Sequence, residues 1–150
     1  MDHLVFVYGT LKRGFPNYPG YMRAAEFVGT CTTVEKYPLV LGGERWVPCL
    51  IDRPGEGAAV AGELFRVDDE GLRRLDGLEA VGRPGGYVRR RIAVRRTDGG
   101  PPDTIEAFVY LMPPENVTQM RAQGLSAYSR EDALKYVRKG TKGQKHKGAN

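Results

Sequence analysis

Leu4-Val5-Phe6-Val7-Tyr8-Gly9-Thr10-Leu11-Lys12-Arg13-Gly14 is a run of β-formers that breaks at Gly9 and ends in a polar turn. An apolar strand that delivers a glycine elbow presents bare backbone N–H groups. Gly9 lets the chain turn without a Cβ penalty and lets a ligand come close to the main chain. The amides around it lack ladder partners and suit an anion or an oxyanion. On these residues alone the stretch reads equally well as a core strand followed by an ordinary loop.

Outward from this strand, six further segments read as β: roughly 26–34, 38–41, 47–51, 60–67, 87–97 and 104–111. In the segment 87–97, Val88, Ile92 and Val94 share one parity and face the core, while Arg89, Arg91 and Arg95 face solvent. Arg90 and Arg96 break that alternation. The turn Asp98-Gly-Gly-Pro-Pro joins this strand to 104–111 as a long hairpin. Two helices are expected. One is capped by Asp68 or Asp69 and carries Leu72, Leu75 and Leu78 at helical spacing. The other opens on the Ser129–Asp132 capping box and runs through Val137, stopping before Gly140. Closely spaced strands with one long crossover point to an α+β chain, a small curled or closed β structure with flanking helices.

The chain has 150 residues, enough for one domain with a real core. Its 20 glycines and 10 prolines favour many turns. The net charge of +5 suggests nucleic acid until it is located. Residues 138–150 hold five basic side chains and no acid, so the first 137 residues are neutral. The domain is therefore placed at 1–137 and a basic, disordered tail at 138–150, with nucleic acid reached at most weakly through that tail. Cys31 and Cys49 are too few and too far apart for a zinc site or a CxxC motif. No signal peptide and no apolar stretch near the ~20 residues of a bilayer span is present, so a cytoplasmic monomer with no membrane contact is expected.

The chemistry is narrowed by missing parts. The histidines are His3 and His146, at the two ends of the chain, which removes Ser-His and Cys-His nucleophilic pairs. Nothing fits a phosphate loop, a dinucleotide fingerprint or a metal cluster, and no cofactor is expected. Carboxylates, backbone amides and tyrosines remain. Glu79 falls at the C-terminal end of the first helix, where the macrodipole disfavours negative charge by about 0.3–1 kcal/mol. Its neighbours Leu78, Ala80 and Val81 are apolar, and both effects push a carboxyl pKa upward. Glu63 is the rival acid, with strand parity that can turn it inward, and Asp76 reads as a surface residue.

Phe6-Val-Tyr-Gly-Thr-Leu-Lys-Arg-Gly14, followed by Pro16-Asn17, resembles the N-terminal signature of the γ-glutamylaminecyclotransferases, part of the wider γ-glutamyl cyclotransferase-like group. Tyr37-Pro38-Leu39-Val40, Gly62-Glu63-Leu64, Leu75-Asp76-Gly77-Leu78-Glu79, Gly86-Tyr87-Val88-Arg89 and Phe108-Val109-Tyr110 follow in the right order, over about residues 4 to 111. The resemblance implies a small mixed, mostly closed β-barrel of about six to seven strands, with helices outside and one pocket at its mouth. It implies that Tyr8, Gly9, Thr10 and Leu11 offer main-chain groups to a small-molecule γ-glutamyl substrate and that Glu79 is the catalytic acid/base. Tyr110 is a further candidate for the pocket. The implied reaction releases an amine from a γ-glutamylamine such as ε-(γ-glutamyl)-lysine and closes the glutamyl part into 5-oxoproline. The missing nucleophile agrees with this, because the substrate's α-amine attacks its own γ-carbonyl. Two alternatives stay open: γ-glutamyl amino acids or another γ-glutamyl conjugate as substrate, or a non-catalytic binding module on the same barrel. The loop 80–86 reads as a flexible rim.

Overall fold

Five strands close on themselves, and the chain's own apolar pattern explains why. In the computed structural model, which describes residues 1–138, the strands are β1 (His3–Val7), β2 (Glu26–Thr33), β3 (Leu39–Gly42), β4 (Val47–Leu50), β5 (Ala61–Val67), β6 (Val88–Arg96), β7 (Thr104–Leu111) and β8 (Met120–Leu125). The helices are α1 (Tyr18–Tyr21), α2 (Asp69–Leu78) and α3 (Arg130–Ala133), with a 3-10 turn at Pro114–Asn116. The barrel order is β1-β5-β2-β6-β7, closed where β7 meets β1 in parallel at Val5 and Phe108. A separate three-stranded sheet, β4-β3-β8, packs beside it. The expected closed barrel is thus present with five strands; the segments at 39–42 and 47–50 belong to the second sheet.

β1 is apolar on both faces because it is buried on both. Phe6 and Tyr8 point into the barrel with Leu64, Val94 and Val109. Val5 and Val7 face outward against Phe65, Leu72 and Leu75, under α1 and α2. The β6–β7 hairpin forms in the expected register, with Ile92 opposite Ala107, and Ile92 and Val94 are buried. Arg91 and Arg95 are exposed as expected, but Arg89 is half-buried. It pairs with Asp76 at 2.5 Å. Arg96, out of pattern in the sequence, turns back onto Asp98 and the Val28 carbonyl at 3.1 and 3.2 Å.

α2 starts where expected. The Asp68 carboxylate accepts from the Gly71 amide at 2.8 Å, and Leu72 and Leu75 are buried. α3 keeps its Ser129–Asp132 capping box but ends at Ala133, well short of Val137. Tertiary contact overrides the helix there: the Val137 amide donates to the Arg45 carbonyl at 2.9 Å instead of continuing the spiral. β8 was not expected. It contains Gly124 at φ +76 and pairs with β3 through two register shifts, which erases the alternation that marks a strand. α1, reading Tyr-Pro-Gly-Tyr, runs against propensity and is held by Tyr18 and Tyr21 on the outer core. The tail from residue 139 lies outside the described residues. Among the described residues no helix is long and apolar enough to cross a membrane.

Candidate active site

After Val7 the chain leaves β1 and folds tightly. The Lys12 amide donates to the Gly9 carbonyl at 3.1 Å and the Asn17 amide to the Thr10 carbonyl at 2.8 Å. Asn17 also donates its side-chain amide to Thr10 Oγ1 at 2.9 Å and to the Tyr136 hydroxyl at 3.1 Å. The turn is pinned from below by Glu63, whose carboxylate accepts from the Arg13 amide at 2.8 Å. What remains unused is the upper edge. Among the described residues the amides of Gly9, Thr10 and Leu11 have no hydrogen-bond acceptor. Gly9 is required by space, since a Cβ there would lie 2.6 Å from Pro48 Cγ.

These amides border a cavity of about 520 Å³, a size typical of small-molecule sites. Tyr8, Gly9, Thr10, Leu11, Glu79 and Tyr110, all singled out in the sequence, line it together. Glu63 does not line it among the described residues; it sits on the face of β5 beside Arg13. Its inward parity leads to the helix-covered side of the barrel and to the foot of the elbow.

Glu79 is the C-cap of α2, half-buried, directly before Ala80 at φ +56. The helix stops there because Ala80 enters the left-handed region. Its placement is then fixed by the loop 80–86. The Tyr87 amide donates to the Glu79 carbonyl at 3.0 Å, the Val81 amide to the Asp76 carbonyl at 3.0 Å, and Asn116 Nδ2 to the Gly86 carbonyl at 3.0 Å. Gly86 backs so closely onto the Ala80 carbonyl that a side chain has no room. The rim expected from the sequence is present, tied down at both ends.

The Glu79 charge is felt by four neighbours. Burial, then Glu79, raises the Tyr8 hydroxyl well above its ordinary value. Burial, with Cys49, Tyr8 and Glu79 as the neighbouring groups, does the same to Tyr87. Tyr110 is raised by burial, by its bond to Asp76 and by Glu79. Burial pushes the Cys49 thiol up to about 11, with Glu79 adding to the rise. None of these groups ionises near neutral pH. Three tyrosine protons are also committed: Tyr8 to the Tyr110 carbonyl at 2.7 Å, Tyr87 to the Pro48 carbonyl at 2.8 Å, and Tyr110 to Asp76 at 2.7 Å. Asp76, expected at the surface, instead joins Tyr110 to Arg89 in a half-buried network.

The arrangement sets donor amides and a carboxylate around one space. Fixed amides stabilise a negative oxygen, and a carboxylate moves protons. Sequence reasoning missed Cys49, Tyr87, Arg45 and Tyr136 on the same walls. Arg45 and Tyr136 carry no local signal, being brought in by pairing of residue 137 with residue 45. Asn17 stood inside the quoted signature, but its bracing role depends on Thr10 and Tyr136 lying within reach of its side-chain amide, which only the fold arranges.

Residues 5–131 match the family model described as Gamma-glutamyl cyclotransferase, AIG2-like. The match runs past the end of the resemblance read from the sequence and takes in β8 and the Ser129 cap. A protein of Rattus norvegicus named gamma-glutamylaminecyclotransferase is 45% identical over 114 residues, covering 71% of this chain and 75% of that one. The Homo sapiens protein of the same name is 41% identical over 127 residues, covering 75% and 82%. The crystal structure of an AIG2-like protein from Mus musculus matches with a TM-score of 0.80 at 35% identity, over 93% of this chain and 97% of that one.

Proposed function

The chain belongs to the gamma-glutamyl cyclotransferase, AIG2-like family, and from that premise we propose that it converts γ-glutamylamines to 5-oxoproline and the free amine, with Glu79 as general acid/base. The observation that carries the proposal is the meeting of Glu79 and the open amides of Gly9, Thr10 and Leu11 on one cavity. Relatives at 45% and 41% identity carry the name of that activity.

The reaction needs little from the protein beyond placement and proton transfer. The substrate's α-amine attacks its own γ-carbonyl, forming the ring C–N bond while the bond to the leaving amine breaks. Holding the glutamyl chain in the reactive conformer supplies several kcal/mol. Glu79 takes a proton from the α-ammonium and returns one to the departing nitrogen, work worth about 10²–10⁴-fold. The elbow amides hold the α-carboxylate or the oxyanion. The tyrosines that surround Glu79 donate their hydroxyl hydrogen bonds to protein acceptors and are not donors in this scheme. Two free, buried cysteines suit a reducing compartment, which supports a cytoplasmic setting.

The test is direct. Incubation with ε-(γ-glutamyl)-lysine should yield 5-oxoproline and lysine in equal amounts. No product from this or any other γ-glutamyl conjugate at high protein concentration overturns the proposal.

A further inference from the structure

The elbow and Glu79 account for the glutamyl half of the substrate and leave the amine half without a partner. Another part of the same cavity carries a charge that the scheme above does not use. Arg45, half-buried, is the only cation among the described residues that line the space. It stands in the turn between β3 and β4, which is held in a conformation it would not adopt alone. Trp46 has φ +54 and Gly43 φ +76. The Gly43 amide donates to the Thr118 carbonyl at 3.0 Å and Arg121 Nε to the Gly43 carbonyl at 2.7 Å. The Val137 amide closes the far side on the Arg45 carbonyl at 2.9 Å. Strain of this kind persists only where the surroundings fix it, and it clusters at functional sites.

The guanidinium is itself underused. Nη1 donates to the Val137 carbonyl at 3.1 Å, and among the described residues Nε and Nη2 have no acceptor. A guanidinium has five donors in a planar fork that matches a carboxylate two bonds at a time. Of the three charged residues that line the cavity, Glu44, Arg45 and Glu79, two act on Cys49 in opposite senses: Glu79 raises its pKa and Arg45 lowers it. The neighbouring Glu44 also borders the cavity, but it is exposed to solvent, and no ion pair joins it to Arg45 among the described residues. The α-carboxylate of the glutamyl half shares a carbon with the amine that Glu79 must reach, so it stays with the elbow amides next to Glu79. A second carboxylate, on the amine half, is the anion left for Arg45.

We propose that Arg45 binds a carboxylate carried by the leaving amine, which makes γ-glutamyl conjugates of amino acids the preferred substrates over conjugates of plain amines. This rests on the cyclotransferase reading of the same cavity.

The measurement compares two conjugates that differ by one group: ε-(γ-glutamyl)-lysine, and γ-glutamyl-cadaverine, which lacks the lysine carboxylate. Wild-type protein should show a kcat/KM ratio in favour of the lysine conjugate. Arg45→Gln should collapse that ratio by about 10- to 100-fold through KM, the size expected for a lost charge-assisted pair. Arg45→Lys should recover part of it, which separates charge reading from loss of fold. A ratio that is the same in wild type and Arg45→Gln overturns the inference and leaves the cyclotransferase reading standing. Wild-type protein inactive on both conjugates overturns that reading and this inference with it.

Discussion

The Tyr110 hydroxyl donates to Asp76 at 2.7 Å, and Asp76 is held in turn by Arg89. It follows that Tyr110→Phe should remove a structural bond and no catalytic one. Urea denaturation should show a loss of about 1 kcal/mol, the usual net worth of such a bond, while kcat stays within tenfold of wild type. Glu63 stands in a similar position. Its carboxylate anchors the Arg13 amide below the elbow and borders no part of the cavity among the described residues. Glu63→Gln should therefore turn over γ-glutamyl-lysine at a rate close to wild type, whereas a collapse of kcat would mark it as the proton carrier. Position 76 shows the limit of the sequence at this scale. A charged residue in Leu-Asp-Gly-Leu-Glu reads as exposed until β6 and β7 bring Arg89 and Tyr110 to it.

The elbow and α2 carry the candidate site, and each depends on a local feature of its own. Pro48 lies against Gly9 with no space for a side chain. Gly9→Ala should push the elbow off Pro48 and misalign its amides, lowering kcat by about 10²- to 10³-fold, as loss of an oxyanion donor does. Far-UV circular dichroism should show the barrel intact. For α2 the N-cap bond from the Gly71 amide to Asp68 matters to stability, not to chemistry. Asp68→Ala should cost about 1 kcal/mol in denaturant unfolding. α2 and the β6–β7 hairpin were legible because their signals are local: a cap with spaced leucines, and alternation either side of a Gly-Pro turn. β8, α1 and the early end of α3 were not, because each is set by a partner far away in sequence. β8 takes its register from β3, α1 rests on the outer core, and residue 137 leaves its helix for Arg45.

At the scale of the whole molecule the barrel buries groups that cannot afford charge. Cys31 and Cys49 are both raised by burial from 9.0 to about 11, and Tyr8, Tyr87 and Tyr110 are raised above 10. In each case the folded state holds its proton more tightly than the unfolded one. The stability this provides is complete below pH 9 and is lost as pH rises through 9 to 11 and beyond. Urea midpoints should stay level between pH 7 and 8.5 and fall steadily above 9. A curled or closed β structure was legible from the count and spacing of strands, the barrel from the resemblance, and half of the candidate site from the glycine elbow and the misplaced acid. The other wall was not, because Arg45, Cys49, Tyr87 and Tyr136 converge only after the second sheet docks. In the proposed reaction Glu79 carries protons between the α-amine and the leaving amine. Steady-state turnover of ε-(γ-glutamyl)-lysine by Glu79→Gln, set beside wild type with matched melting temperatures, tests it most directly. The expected result is a fall in kcat of about 10²- to 10⁴-fold; a variant that folds and retains turnover within a few-fold of wild type would overturn the role proposed for Glu79.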